Sequence, residues 1–123
     1  MSQFITSTSV VTNTGLTVSG LTGGTNGRVV RMSGTNTVTN AANTNTTSQL
    51  NTVLVKMNDV YYGAGVVSGF TGLSPGSPYF LSTGGNITST PPTPTASVSV
   101  LYLGFALNET DLFFRPGIPI SGT

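Results

Sequence analysis

Short runs of β-branched and aromatic residues alternate along this chain with Gly, Pro, Asn and Ser. Such punctuation leaves no window of helical length, and the good helix formers Ala, Glu, Lys and Arg are scarce. Helix is therefore not expected. Short strands separated by regular turn signals are the pattern of an all-β sandwich or barrel. The expected fold is a small β-sandwich or barrel of short antiparallel strands, preceded by a polar, possibly extended N-terminal region. At 123 residues the chain suits one compact domain, or one domain plus an arm.

Composition changes near residue 50. Residues 1–50 are rich in Thr, Asn and Gly and hold one aromatic, Phe4. Residues 51–123 hold all four Tyr, five of the six Phe and all seven Pro. The division predicts a Thr/Asn-rich N-terminal arm and strand region over 1–50, used for inter-subunit contact, and a compact β domain over 51–123. Strands are expected at 4–12, 15–21 and 28–33, with Gly23 to Gly27 as a hairpin turn in which Asn26-Gly27 is the stronger element. Residues 34–49 carry almost no apolar bulk. They read either as a solvated loop or as a strand that pairs with another subunit.

The second part is more regular. Val53 to Met57, an Asn58-Asp59 turn and Val60 to Tyr62 form a predicted hairpin. Further strands are expected at 66–70, 78–82 and 87–89. Pro75-Gly76 suits the centre of a type II turn, and Pro91, Pro92 and Pro94 form a stiff connector. Residues 97–107 read as the longest strand, and Leu112 to Phe114 as the last strong one.

Charge narrows the function classes. Only 6% of the residues are charged, against roughly 25% in ordinary soluble domains. A surface of Thr, Ser, Asn and Gly is neutral, so much of it is expected to be covered by partners. A net charge of +1 gives no basic cluster for phosphates; Arg28 and Arg31 are the only close pair. Nucleic acid is not an expected partner. Nor is a membrane: the longest apolar run, Val100 to Leu107, is interrupted by Gly104 and too short to span a bilayer. The Met1 to Thr8 start shows neither a positive segment nor an apolar one, so no signal peptide is expected.

The same scarcity argues against catalysis. The chain has no Cys, His or Trp, so thiolate chemistry and the usual proton shuttle are excluded. Asp59, Glu109 and Asp111 are the only carboxylates. A glycosidase-like pair of Glu109 and Asp111 is conceivable, but both sit at an expected turn, where strand termination and solvation explain them. Lys56 has no Ser on its own face of a strand. The Gly-rich stretches at 20–27 and 63–69 lack the Lys and the following helix of a phosphate-binding loop. No loop clusters carboxylates for calcium. The three Asn-x-Thr matches at Asn45, Asn86 and Asn108 follow from an Asn- and Thr-rich composition. No cofactor, metal or small-molecule substrate is expected.

Aromatic residues carry the sharper signal. Tyr61-Tyr62, Tyr79-Phe80 and Phe113-Phe114 are adjacent pairs, and neighbours on a strand point to opposite faces. Each pair should send one ring into the core. The other is either half-exposed or packed on a second subunit. Tyr61, Tyr62, Phe70, Tyr79 and Phe113 are the expected inter-subunit contacts; Phe4, Ile5, Val10 and Val11 are the apolar residues of an expected arm that adds a strand to a neighbour.

Within residues 63–114 the chain reads Gly69-Phe70-Thr71-Gly72-Leu73-Ser74-Pro75-Gly76-Ser77-Pro78-Tyr79-Phe80-Leu81-Ser82, then Gly84-Gly85-Asn86-Ile87-Thr88, then Gly104-Phe105-Ala106-Leu107-Asn108-Glu109-Thr110-Asp111-Leu112. On these residues the segment resembles a module of tailed-bacteriophage virion proteins. The pattern is similar to one in capsid decoration (cement) proteins, head fibres and tail-fibre modules. It covers less than half of the chain. The resemblance implies a homotrimeric β-rich structural protein of the virion, assembled in the host cytoplasm, that binds the major capsid protein and stabilises the shell. The alternative it implies is a tail-fibre or receptor-binding module that contacts the host surface.

Overall fold

A computed structural model describes residues 15–122 of the chain. The fold is almost entirely β. Its strands are β1 (Leu16–Val18), β2 (Thr22–Gly23), β3 (Arg28–Gly34), β4 (Thr37–Asn40), β5 (Val53–Met57), β6 (Val60–Ser68), β7 (Pro78–Leu81), β8 (Ile87–Thr88), β9 (Ser99–Val100), β10 (Tyr102–Ala106), β11 (Asp111–Phe114) and β12 (Ile120–Ser121). One short helix, α1 (Thr47–Leu50), interrupts them. Nine strands follow the order β2-β4-β3-β5-β6-β11-β10-β7-β8, with β1 on β6; β9 and β12 form a separate pair. Neighbours are antiparallel except β2 and β4, which run parallel.

The β5–β6 hairpin forms as its sequence predicts. Asn58 and Asp59 both take positive φ, 52° and 64°, the backbone of a tight hairpin turn that matches strand twist. Asn26 clamps this turn from outside: its Oδ1 accepts from the Asp59 amide at 2.7 Å and its Nδ2 donates to the Asp59 carboxylate at 3.2 Å.

Strand β6 is one nine-residue strand where two were expected. Its first half pairs with β5 and β1, its second half with β11. The join lies at Gly63-Ala64-Gly65. Here the Gly15 amide donates to the Val66 carbonyl at 3.0 Å, and a Cβ at Gly65 would come within 2.8 Å of the Gly15 Cα. Small residues let β1 lie directly against β6 at the point where it passes between the halves of the sheet. Strand β3 meets the turn that precedes β8 through Val29, whose amide donates to the Gly85 carbonyl at 2.8 Å. The sheet thus wraps one core in which Val29, Val55, Val67, Leu81, Leu101, Leu103, Leu112 and Phe114 are fully buried.

Four expectations are corrected. The compositional boundary near residue 50 does not separate the folded bodies. Strand β3 pairs with β5 across it, and Val29, Ala41 and Leu50 enter the common core. Polar composition concealed this because β3 needs only Val29 and Val30, buried on opposite faces, to anchor it. The Asn26-Gly27 turn does not close a hairpin, since β2 pairs with β4 rather than β3. Residues 34–49 are not one solvated loop, and the strand they contain pairs within the chain. They supply β4, anchored by Val38 against β3, and the start of α1. A capping box allows that helix: the Thr46 hydroxyl accepts from the Gln49 amide and the Gln49 side chain accepts from the Thr46 amide. The expected long strand over 97–107 is divided at Leu101 into β9 and β10.

Candidate functional site

Strands β6, β11, β10 and β7 bury one face and leave the other outward. On β11 the inward residues are Leu112 and Phe114, both fully buried. Asp111, Phe113 and Arg115 alternate with them on the outside. On β10 strict alternation would send Phe105 inward together with Leu103. It does not, because the pairing with β7 shifts between Tyr102 and Gly104. The extra residue resets the alternation, so Tyr102 and Phe105 rise from the same face while Leu103 and Ala106 enter the core. Gly104 makes this possible. Its φ is 142°, and a Cβ there would run into the carbonyl oxygen of Phe113.

Register places the outward residues in rows across the strands. Val66 pairs with Phe113, Phe113 with Phe105, and Phe105 with Pro78. To one side Asp111 pairs with Ser68, and its carbonyl accepts from the Leu107 amide. To the other side Tyr102 pairs with Phe80, while the Arg115 amide donates to the Leu103 carbonyl. The Phe105 and Phe113 rings lie 5.5 Å apart, those of Phe80 and Tyr102 5.9 Å apart and nearly edge to face. The guanidinium of Arg115 lies 5.8 Å and 5.9 Å from the Phe105 and Phe113 ring centres. All four rings are half-buried and belong to neither buried cluster.

The other sequence-derived contacts fall elsewhere. Phe4, Ile5, Val10 and Val11 lie outside the described residues. Tyr61, Phe70 and Tyr79 are buried within the chain, which removes them as inter-subunit contacts. Tyr79 is a core ring whose hydroxyl accepts from the Ser74 amide at 2.8 Å. Tyr61 packs with Val30 and Val38 in a second small cluster, its hydroxyl donating to the Gly23 carbonyl at 2.7 Å. Tyr62 is half-buried against the main core on the opposite face. Both rings of that pair are thus occupied, because loop residues around Gly23 cover the outer side of the sheet there. Phe113 alone of the five lies on the aromatic face, beside Phe80, Tyr102 and Phe105. Sequence reasoning did not single out Arg115; its signal is the spacing Asp111, Phe113, Arg115 along one strand.

Ionisable groups are spread out. The Lys56 ammonium donates to the carbonyls of Gly23 and Gly24 and lies 3.9 Å from the Asp59 carboxylate. Glu109 is exposed. Asp111 accepts from Asn108 Nδ2 and from the Thr110 hydroxyl, each at 3.1 Å. Hydrogen bonds from Asn108, then Ser68, hold its carboxyl below the ordinary range; slight desolvation opposes them and Thr110 adds to them. Among the described residues no three His, Cys, Asp or Glu side chains converge as metal ligands, and no helix is long and apolar enough to cross a membrane. A polar depression of about 250 Å³, lined by Thr46, Ser97, Ser99 and Ser121 among others, offers hydroxyls and no titratable group. The arrangement is suited to contact with another surface.

No protein-family model, no curated protein and no solved structure matches the chain.

Proposed function

We propose that the chain is a structural virion protein, a decoration or cement protein that binds the outer surface of a phage capsid, assembles with copies of itself and stabilises the shell. It acts by contact rather than by chemistry. The observation that carries this reading is the outward face of Phe80, Tyr102, Phe105 and Phe113, four rings left half-exposed in a chain with 6% charged residues. Exposed aromatic clusters mark interaction sites, and Tyr and Phe are enriched where interfaces bury them. The resemblance of residues 63–114 to virion modules supplies the setting. In this reading Phe4, Ile5, Val10 and Val11 belong to an arm that reaches the major capsid protein.

The test is the copy number of the chain in purified phage particles, measured by quantitative mass spectrometry. Hundreds of copies per particle, removed together with resistance of the shell to heat, support a decoration role. A handful of copies, with loss of host adsorption on deletion, supports a fibre or receptor-binding role instead. Deletion of residues 2–12 with unchanged particle occupancy would reject the arm.

A further inference from the structure

Along β11 the outward residues read acid, ring, base: Asp111, Phe113, Arg115. At about 3.4 Å per residue the Cα positions of the two charged residues stand roughly 14 Å apart, with Phe113 midway and the Arg115 guanidinium leaning back towards the rings. The residues beside them in the rows are uncharged. Ser68 and Leu107 flank Asp111, Val66 and Phe105 flank Phe113, and Tyr102 and Phe80 lie on the Arg115 side. Such a face is complementary to itself.

We infer that two copies of this chain pair face to face through this sheet, about a two-fold axis that runs along the row Val66, Phe113, Phe105. An interface of this symmetry matches a residue i with j and j with i. With the axis across the strands, β11 meets the partner's β11 antiparallel. Each Asp111 then faces Arg115 of the partner subunit, and the Phe105 and Phe113 rings close on their own copies. With the axis along the strands, Asp111 would face Asp111 and Arg115 would face Arg115, and like charges across an interface cost several kcal/mol. Charge therefore selects the antiparallel arrangement.

The state of Arg115 supports a partner anion. Among the described residues, Lys56, Arg28 and Arg31 each donate to backbone carbonyls, whereas the guanidinium of Arg115 rests on two rings and has no acceptor. Stacked in this way it keeps its donor edge free for a carboxylate. Asp111 is ready to accept, since its neighbours hold it ionised. The pairing does not depend on the particle reading, and it sets a two-fold pair in place of the homotrimer that the resemblance implies.

Two single variants test it by sedimentation of the full chain. Arg115→Glu sets acid against acid in a homodimer, and Asp111→Arg sets base against base. Each should raise the dimer dissociation constant about tenfold or more. Mixed in equal amounts they should pair again, because both contacts then join opposite charges. Asp111 also ties the Asn108 loop, so Arg115→Glu carries a second readout alone: its pairing should recover towards wild type at about 1 M salt, where screening acts within ~3 Å. A wild-type chain that sediments as a monomer or a trimer overturns the inference. So does an Arg115→Glu variant that pairs like wild type or ignores salt.

Discussion

Phe105 and Phe113 stand opposite each other across the β10–β11 ladder with ring centres 5.5 Å apart, on the side of the sheet that faces away from the core. Their neighbours Ala106, Leu112 and Phe114 are buried. The same two strands thus build the centre of the molecule and present its outward aromatic face, and the two roles separate by single residue steps.

That separation is measurable at adjacent positions. Phe114→Ala should cost about 3–5 kcal/mol in urea unfolding, the usual cost of removing a buried ring. Phe113→Ala should cost clearly less, about 1–2 kcal/mol at dilution, since only part of the ring's area is buried and its aromatic pairing is removed, while self-association is lost. The reverse order would place Phe113 in the core.

Gly104 controls which way Phe105 points. Gly104→Ala must adopt a left-handed φ and push against the Phe113 carbonyl. The expected loss is at least about 2 kcal/mol, since backbone strain of this kind costs 1–3 kcal/mol before the ladder is disturbed. Hydrogen exchange should rise at the amides of β10 and β11 first.

Tyr61 is a buried ring with one polar tie. Tyr61→Phe removes its hydrogen bond to the Gly23 carbonyl and should cost about 1 kcal/mol, with no change in association. Lys56 still donates to that carbonyl, so it is not orphaned. A loss of assembly in Tyr61→Phe would contradict its placement inside the chain.

Acid stability should depend on Asp111. Its carboxyl lies lower in the folded chain than in the unfolded one, chiefly through Asn108. The contribution is complete above the ordinary carboxylate value of about 4 and fades as pH falls through the lower folded value. Asp111→Asn should therefore melt at lower temperature than wild type near neutral pH, and its Tm should fall less steeply on acidification. Parallel Tm–pH curves would show that the loop does not use the charge.

Local chemistry made part of this fold legible. The β5–β6 hairpin, β7, β8 and β11 follow from Asn-Asp, Pro-Gly and Gly-Gly turns between alternating residues, because these signals act within a few positions. Continuity of β6 through Gly63 to Gly65 was not legible. Glycine normally ends a strand, and here it lets β1 approach. The aromatic face was half legible: alternation assigns Phe113 and Phe80 outward once Phe114 and Tyr79 face the core. It assigns Phe105 wrongly unless the bulge at Gly104 is known, and that depends on pairing with β7. Tyr61 was misplaced for a similar reason, since the residues that cover it lie nearly forty positions earlier. Arg115 acquires meaning only from cross-strand neighbours.

The central claim is that the outward face of β10 and β11 exists to be covered. Sedimentation equilibrium of the purified chain over a wide concentration range tests it most directly. A mass of twice the 12.6 kDa chain, returned to a single chain by Phe113→Ala, is the expected result. A wild-type protein that remains a single chain at every concentration would contradict it.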